Sequence, residues 1–273
     1  MKLSCLPVSF FEEIISGRMK LDEWARLGAA AGLEAVDLSI LFLSEMTLPA
    51  ARAARQQVQS AGIRVAMLTT YPDFTHPDAG QRQIELDKEC QAVSLAAELG
   101  AELIRVTAGQ AHPETSHEQG IDWAVEGLRR LVGRTKEEGV HLVYENHAKP
   151  GAWQYTDFSQ PPAIFLEILS RVDSPELGVN FDAGNATAFA DDPLDLLERV
   201  LPRLISVHAS DTSTRGKLNH TLLGTGLTPY PEIFQRLKRA GWDGWICMEE
   251  ASFRGREGVI LAADFVRETW ASA

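Results

Sequence analysis

One rhythm limits what this chain can fold into more than any other feature. Eight times, a short apolar run ends in a polar residue, a helical stretch follows, and a Gly announces the next run. The runs are MKLSCL (1–6), EAVDLS (34–39), RVAMLTT (64–70), AELIRVTAG (101–109), VHLVYENH (140–147), LGVNFDAGN (177–185), LISVHASD (204–211) and GWICMEE (244–250). The clearest helical patterns, 21–32, 49–62, 81–100, 122–139 and 231–241, each end on Gly, the residue that best stops a helix. Strand-like runs alternating with helices predict a parallel α/β sheet. Eight such units in 273 residues fit a closed, single-domain (β/α)8 TIM barrel over 1–273. An open doubly wound sheet would bring a Gly-rich phosphate turn after an early strand, and no GxGxxG follows a strand here.

Several function classes fall away on composition. A net charge of −12 argues against a broad nucleic-acid or anionic-membrane surface, since both need clustered cations. LRRLVGRTKEE (128–138) reads as the solvated face of a helix. No apolar run approaches the roughly 18 residues of a membrane span, and MKLSCLPVSFFEE turns acidic too early for a signal peptide. Cys5, Cys90 and Cys247 show no CxxC spacing and read as buried free thiols of a cytoplasmic protein.

A barrel keeps its chemistry at the C-terminal ends of its strands. Runs five to eight end at Glu145, Asp182, His208 and Glu249, separated by 37, 26 and 41 residues, each about one βα unit. Side chains alternate between the faces of a strand. With these four pointing inward, Leu142, Tyr144, Val179, Phe181, Ile205, Val207, Ile246 and Met248 all point outward, and all are bulky and apolar as a helix-facing surface requires. Three carboxylates at one barrel mouth, with few cations near them in sequence, repel unless a metal ion sits among them. Three oxygen ligands and one imidazole favour Mn2+ or Mg2+ and admit Co2+ or Zn2+.

At these residues the chain resembles the sugar isomerase/epimerase group of xylose-isomerase-like TIM barrels. The likeness runs through LAAELGAELIRVTAG (95–109), YENH (144–147), NFDAGN (180–185), VHASD (207–211), LGTG (223–226) and GWDGWICMEE (241–250). It implies that Glu145, Asp182, His208 and Glu249 hold one divalent metal ion, and that Glu145 and Glu249 are the catalytic pair flanking the substrate carbon. Ketose 3-epimerases of this group carry a His three residues after the Asp; here Asn185 stands there, which weakens that narrower assignment. The barrel also looks like endonuclease IV. Asn185 and Leu218, where that three-metal site needs His and Asp, together with the acidic charge, count against DNA repair.

The expected chemistry is isomerisation or epimerisation of a small sugar, ketose or hydroxy-keto acid, by proton transfer next to a metal-bound carbonyl through an ene-diolate. Loss of a β-hydroxyl after proton removal would make the same site a dehydratase of a cyclic polyol or keto acid. A sugar-binding barrel without turnover is the reading from a different class. Substrate-contact candidates are His147 (with Asn146), Asn185, Arg105, His112, and His220 and Arg215 (with Lys217) in the long loop after strand seven; one of the cations would meet a substrate carboxylate or phosphate. Asp211 is expected to orient His208 or that loop. Trp153 and Trp245 are candidate apolar walls, and Met46, Met67 and Met248 read as core. The partner is a small sugar-like molecule, with no nucleic acid or membrane, and a homo-oligomer is compatible with the pattern.

Overall fold

The computed structural model describes residues 1–273. The aliphatic runs form eight strands: β1 Lys2–Leu6, β2 Ala35–Ser39, β3 Arg64–Thr69, β4 Leu103–Val106, β5 His141–Glu145, β6 Leu177–Asp182, β7 Leu204–Ala209 and β8 Trp245–Glu249. They pair in parallel in the order β1-β8-β7-β6-β5-β4-β3-β2. Ten helices surround them: α1 Phe11–Ile15, α2 Leu21–Ala30, α3 Leu48–Gln59, α4 Ala79–Leu99, α5 His117–Glu138, α6 Pro162–Val172, α7 Ala183–Phe189, α8 Pro193–Val200, α9 Tyr230–Arg239 and α10 Gly255–Ser272. The result is the predicted (β/α)8 barrel. None of its helices is long and apolar enough to cross a membrane.

The helix stops lie where the sequence places them. Gly32, Gly62, Gly100, Gly139 and Gly241 adopt φ of 72°, 74°, 74°, 70° and 67°, a left-handed conformation that costs other residues about 1 kcal/mol or more. Seven strand pairs carry full ladders. The seam between β1 and β2 is held differently: the Glu34 N–H donates to Leu3 O at 2.9 Å, and Ser4 Oγ donates to Asp37 Oδ2 at 2.7 Å.

Strand parity holds on β5, β6 and β8. Leu142, Tyr144, Val179, Phe181, Ile246 and Met248 belong to the large cluster between sheet and helices. Val143, Trp245 and Cys247 join Met67 and Leu103 in a small cluster inside the barrel. Strand β7 departs from the expectation. Its register against β6 jumps from Leu204 opposite Val179 to Ser206 opposite Asn180. The bulge skips Ile205, which packs over Gly178 and is 37% exposed, so it does not face the helices. Run six is also shorter than expected, because residues 183–185 already belong to α7. Cys90 and Met46, expected inside, are only partly buried.

Candidate metal centre and cleft

Glu145, Asp182, His208 and Glu249 converge at the C-terminal rim. Each offers one ligand atom, and these atoms all lie within 4.8 Å of one another. All four residues are buried. His208 Nδ1 stands 2.9 Å from Glu145 Oε2 and 3.2 Å from Glu249 Oε1. Adjacent ligands around an ion with bonds of about 2.1 Å stand about 3 Å apart, so these separations suit donors sharing one cation.

The local fold explains the aim of each side chain. Asp182 closes β6 and caps α7: its Oδ1 accepts the Asn185 N–H at 2.6 Å and the Ser210 hydroxyl at 2.9 Å. Asn146 fixes its backbone, accepting the Asp182 N–H at 2.8 Å and donating to Asp182 O at 2.9 Å. The first turn of α7 therefore presses against the end of β7. At Gly184 a Cβ would stand 2.2 Å from Ser210 Oγ, so only Gly fits. Glu145 Oε2 accepts from Asn180 Nδ2 at 2.7 Å and meets Arg105 Nε at 3.0 Å. Asn180 Oδ1 in turn accepts from Ser206 Oγ at 2.6 Å.

What these contacts leave over points to a cation. Asp182 Oδ2, Glu145 Oε1 and His208 Nε2 are buried without a hydrogen-bond partner. Burial works to raise the Glu145 carboxyl, but Arg105 and His208 outweigh it and hold it well below the usual carboxylate range. Glu249 is likewise lowered, because His208 overcomes the cost of burial. Burial, then the charges of Glu249 and Glu145, push Asp182 well up. Burial alone would lower His208, yet the two glutamates drive it well above the ordinary imidazole value. Asp182 and His208 thus hold a proton more tightly, and Glu145 and Glu249 less tightly, than they would in water. A divalent cation among them would compete with those protons. The donor set and the crowding of three carboxylates both fit such an ion.

A cleft of about 760 Å³ opens over this cluster, and Glu249 is the one ligand of the four that lines it. His147, Asn185, His220 and Arg105 line it too. Asn185 Oδ1, His147 Nδ1 and His220 Nδ1 are buried and unpartnered. Burial and Arg105 outweigh Glu145 and hold His147 near 4, so it is neutral. Behind it, 3.9 Å away, Asp157 is raised to about 8 by burial.

The remaining sequence candidates divide between the cleft wall and sites outside it. Arg105 is 1% exposed and committed inward: it pairs with Glu145, donates to Thr70 O at 3.0 Å and sits 4.8 Å over the Tyr71 ring, so it is not a free cation for a substrate anion. Arg215 donates to the carbonyls of Ala190 and Asp191 outside the cleft. His112 meets Asp73 Oδ2 at 2.8 Å and also stands outside it. Asn146 holds Asp182 in place of a substrate hydroxyl. Asp211 serves the loop and not His208, accepting the N–H groups of Thr212, Gly224, Gly226 and Thr228 at 2.9–3.1 Å. Trp153 lines the cleft, whereas Trp245 lies in the barrel interior and donates to Glu102 Oε2 at 2.8 Å. Sequence reasoning missed Asn180, Ser206 and Ser210. Parity alone placed Asn180 and Ser206 inward. Glu89 of α4, which lines the cleft with an unpartnered Oε2, carried no signal at all.

Comparison with known proteins agrees with the fold. The family model described as "Xylose isomerase-like TIM barrel" matches residues 25–269. An uncharacterized protein of Methanocaldococcus jannaschii is 26% identical over 200 residues, 70% of this chain and 66% of its own length. An inosose dehydratase of Lacticaseibacillus casei is 26% identical over 139 residues, covering 45% of this chain and 44% of the dehydratase. The chain thus spans about two thirds of the first relative and under half of the second. The crystal structure of a D-tagatose 3-epimerase-like protein superposes with a TM-score of 0.81 at 19% identity, over 100% of this chain and 98% of that one, a likeness of fold.

Proposed function

The chain belongs to the xylose isomerase-like TIM barrel family, and from that premise we propose that it is a divalent-metal-dependent isomerase or epimerase of a small sugar, ketose or hydroxy-keto acid. The observation that carries the proposal is the convergence of Glu145, Asp182, His208 and Glu249 within 4.8 Å at the floor of a cleft. These four residues would hold the ion, with Mn2+ or Mg2+ favoured and Co2+ or Zn2+ admitted by three oxygens and one nitrogen. Bound there, the ion supplies Lewis acidity that polarises a substrate carbonyl and acidifies the neighbouring C–H.

The protein's own groups do the rest. Glu249 faces the cleft and removes the proton. Glu145, paired with Arg105 and Asn180, is the second carboxyl of the pair; in an epimerisation it delivers a proton to the opposite face of the carbon that Glu249 deprotonates, and in an isomerisation the proton returns to the neighbouring carbon. His147, Asn185 and His220 line the cleft and would meet substrate hydroxyls. The three free thiols suit a cytoplasmic location.

The inosose dehydratase likeness favours a second reading, in which a β-hydroxyl leaves after Glu249 has taken the proton. One experiment separates the two. Purified protein with Mn2+ is incubated in D2O with ketoses, inososes and dehydroshikimate. Deuterium next to a carbonyl without loss of water marks isomerisation or epimerisation, and a new conjugated absorbance marks dehydration. Neither product, with Mn2+ bound, removes the enzymatic reading and leaves a sugar-binding barrel. Glu249→Gln should abolish whichever reaction appears, and retained turnover would refute its role.

A further inference from the structure

The cleft has two kinds of lining. Glu249, His147, Asn185 and His220 supply polar groups. Phe11, Ile15, Ile40, Leu41, Met46 and Trp153 supply an apolar wall. Ile15 and Leu41 are 52% and 46% exposed although both line a concave surface. Apolar side chains grouped in this way mark a binding site more often than scattered single ones do.

The wall is preformed from both sides. Phe11 packs edge-on against Phe42 with centroids 4.8 Å apart. Ser39 Oγ accepts the Leu41 N–H at 3.3 Å and fixes the turn that presents Ile40 and Leu41. Opposite, the Trp153 N–H donates to Pro150 O at 3.1 Å. Gln110 Oε1 accepts the N–H groups of Gln154 and Tyr155 at 2.9 and 3.2 Å. The lysines of the lining have protein partners: Lys88 pairs with Glu85 at 2.7 Å, and Lys149 donates to Gln154 O at 3.1 Å. A lone polyol would use the polar lining beside Glu249 and leave the apolar wall wet, in a cavity whose size suits ligands well beyond one sugar ring.

We propose that the substrate is a polar, sugar-like ring joined to an apolar aryl or alkyl group, and that the group lies against Phe11, Ile15, Ile40, Leu41 and Met46. This rests on the proposed metal-centred reading of the cleft and deepens it. Continuity with Glu249 in one cavity favours a substrate's own substituent over a second copy of the chain.

The test compares methyl and phenyl β-D-glucopyranoside as probes, by calorimetry on the Mn2+-loaded protein. Manganese binding itself is read separately by electron paramagnetic resonance. The expected result is at least tenfold tighter binding of the phenyl compound, the order of gain from burying an aryl face. In the double variant I15E/L41E the gap should shrink below threefold. Both side chains are half exposed, and thermal melting checks that the variant is folded. Equal affinities, or no detectable binding of either probe, with Mn2+ bound overturn the apolar subsite but leave the metal centre standing. Failure to bind Mn2+ removes the metal-centred reading instead. Light scattering provides a further arm: a wild-type dimer that becomes monomeric in I15E/L41E would assign the wall to subunit contact and overturn the proposal.

Discussion

Arg105 and Glu145 face each other inside the barrel, Nε to Oε2 at 3.0 Å, with side-chain exposures of 1% and 0%. The guanidinium comes from β4 and the carboxylate from β5, so the pair ties the strand before the cluster to the cluster's first residue.

Breaking that pair should be costly in a metal-dependent way. Arg105→Met leaves Glu145 buried beside Asp182 and Glu249 with one cation fewer, and loss of one partner of a buried pair costs about 3–5 kcal/mol. Urea unfolding in EDTA should show a loss of that order. At one fixed Mn2+ concentration the variant should gain more stability than wild type gains, because its cluster has one cation fewer and binds the ion more tightly. An equal loss with and without Mn2+ would separate Arg105 from the metal centre.

Ser210 touches the cluster only through Asp182 Oδ1, at 2.9 Å. Ser210→Ala should keep the fold and weaken Mn2+ binding about tenfold, the usual scale for a group that orients a ligand. A titration followed by electron paramagnetic resonance gives the affinity, and an unchanged value would mean that the α7 cap alone holds Asp182.

Glu89 offers a pH test away from the ligands. Burial raises its carboxyl from 4.5 to about 8. Unfolded, it ionises near its ordinary value; folded, it keeps its proton until pH 8. The stability it supports is therefore fully present below about pH 4.5 and declines as the pH rises to about 8. Glu89→Gln should match wild type near pH 4.5 and melt a few degrees higher than wild type at pH 9. A melting difference that does not change with pH would show that the carboxyl is ionised in the fold.

Asp211 receives four backbone N–H groups from a single loop. Asp211→Ala strands those donors and should cost about 1–3 kcal/mol. Amide exchange at Gly224, Gly226 and Thr228 should speed up far more than at the β7 amides, and KM should rise through His220 on the same loop. Uniform acceleration across the barrel would point to a global effect instead.

Much of this was legible in the sequence because barrel geometry repeats. A period of two along β5, β6 and β8 put Glu145, Asp182 and Glu249 on the face opposite Tyr144, Phe181 and Met248. Parity counting assumes an unbroken ladder, so it failed at the bulge that turns Ile205 away from the helices. It also assigns a face but not a partner. For Arg105, a substrate-contact candidate by sequence, nothing local distinguishes a guanidinium reaching Glu145 from one awaiting an anion. Contacts set by loop paths were beyond reach. His112 against Asp73, Arg215 against Ala190, and Glu89 reaching the cleft from α4 all depend on how segments without periodicity cross the rim.

The thinly stitched join between β1 and β2 lies outside the arc β5–β8 that supplies all four residues of the cluster, and that arc is laced continuously from strand to strand. The segments that follow β1 and β2 form the wall of the cleft carrying Phe11, Ile15, Ile40 and Leu41. Sequence drift in those two segments can reshape what the mouth admits while the arc keeps its register, so relatives with one chemistry can diverge widely in diet.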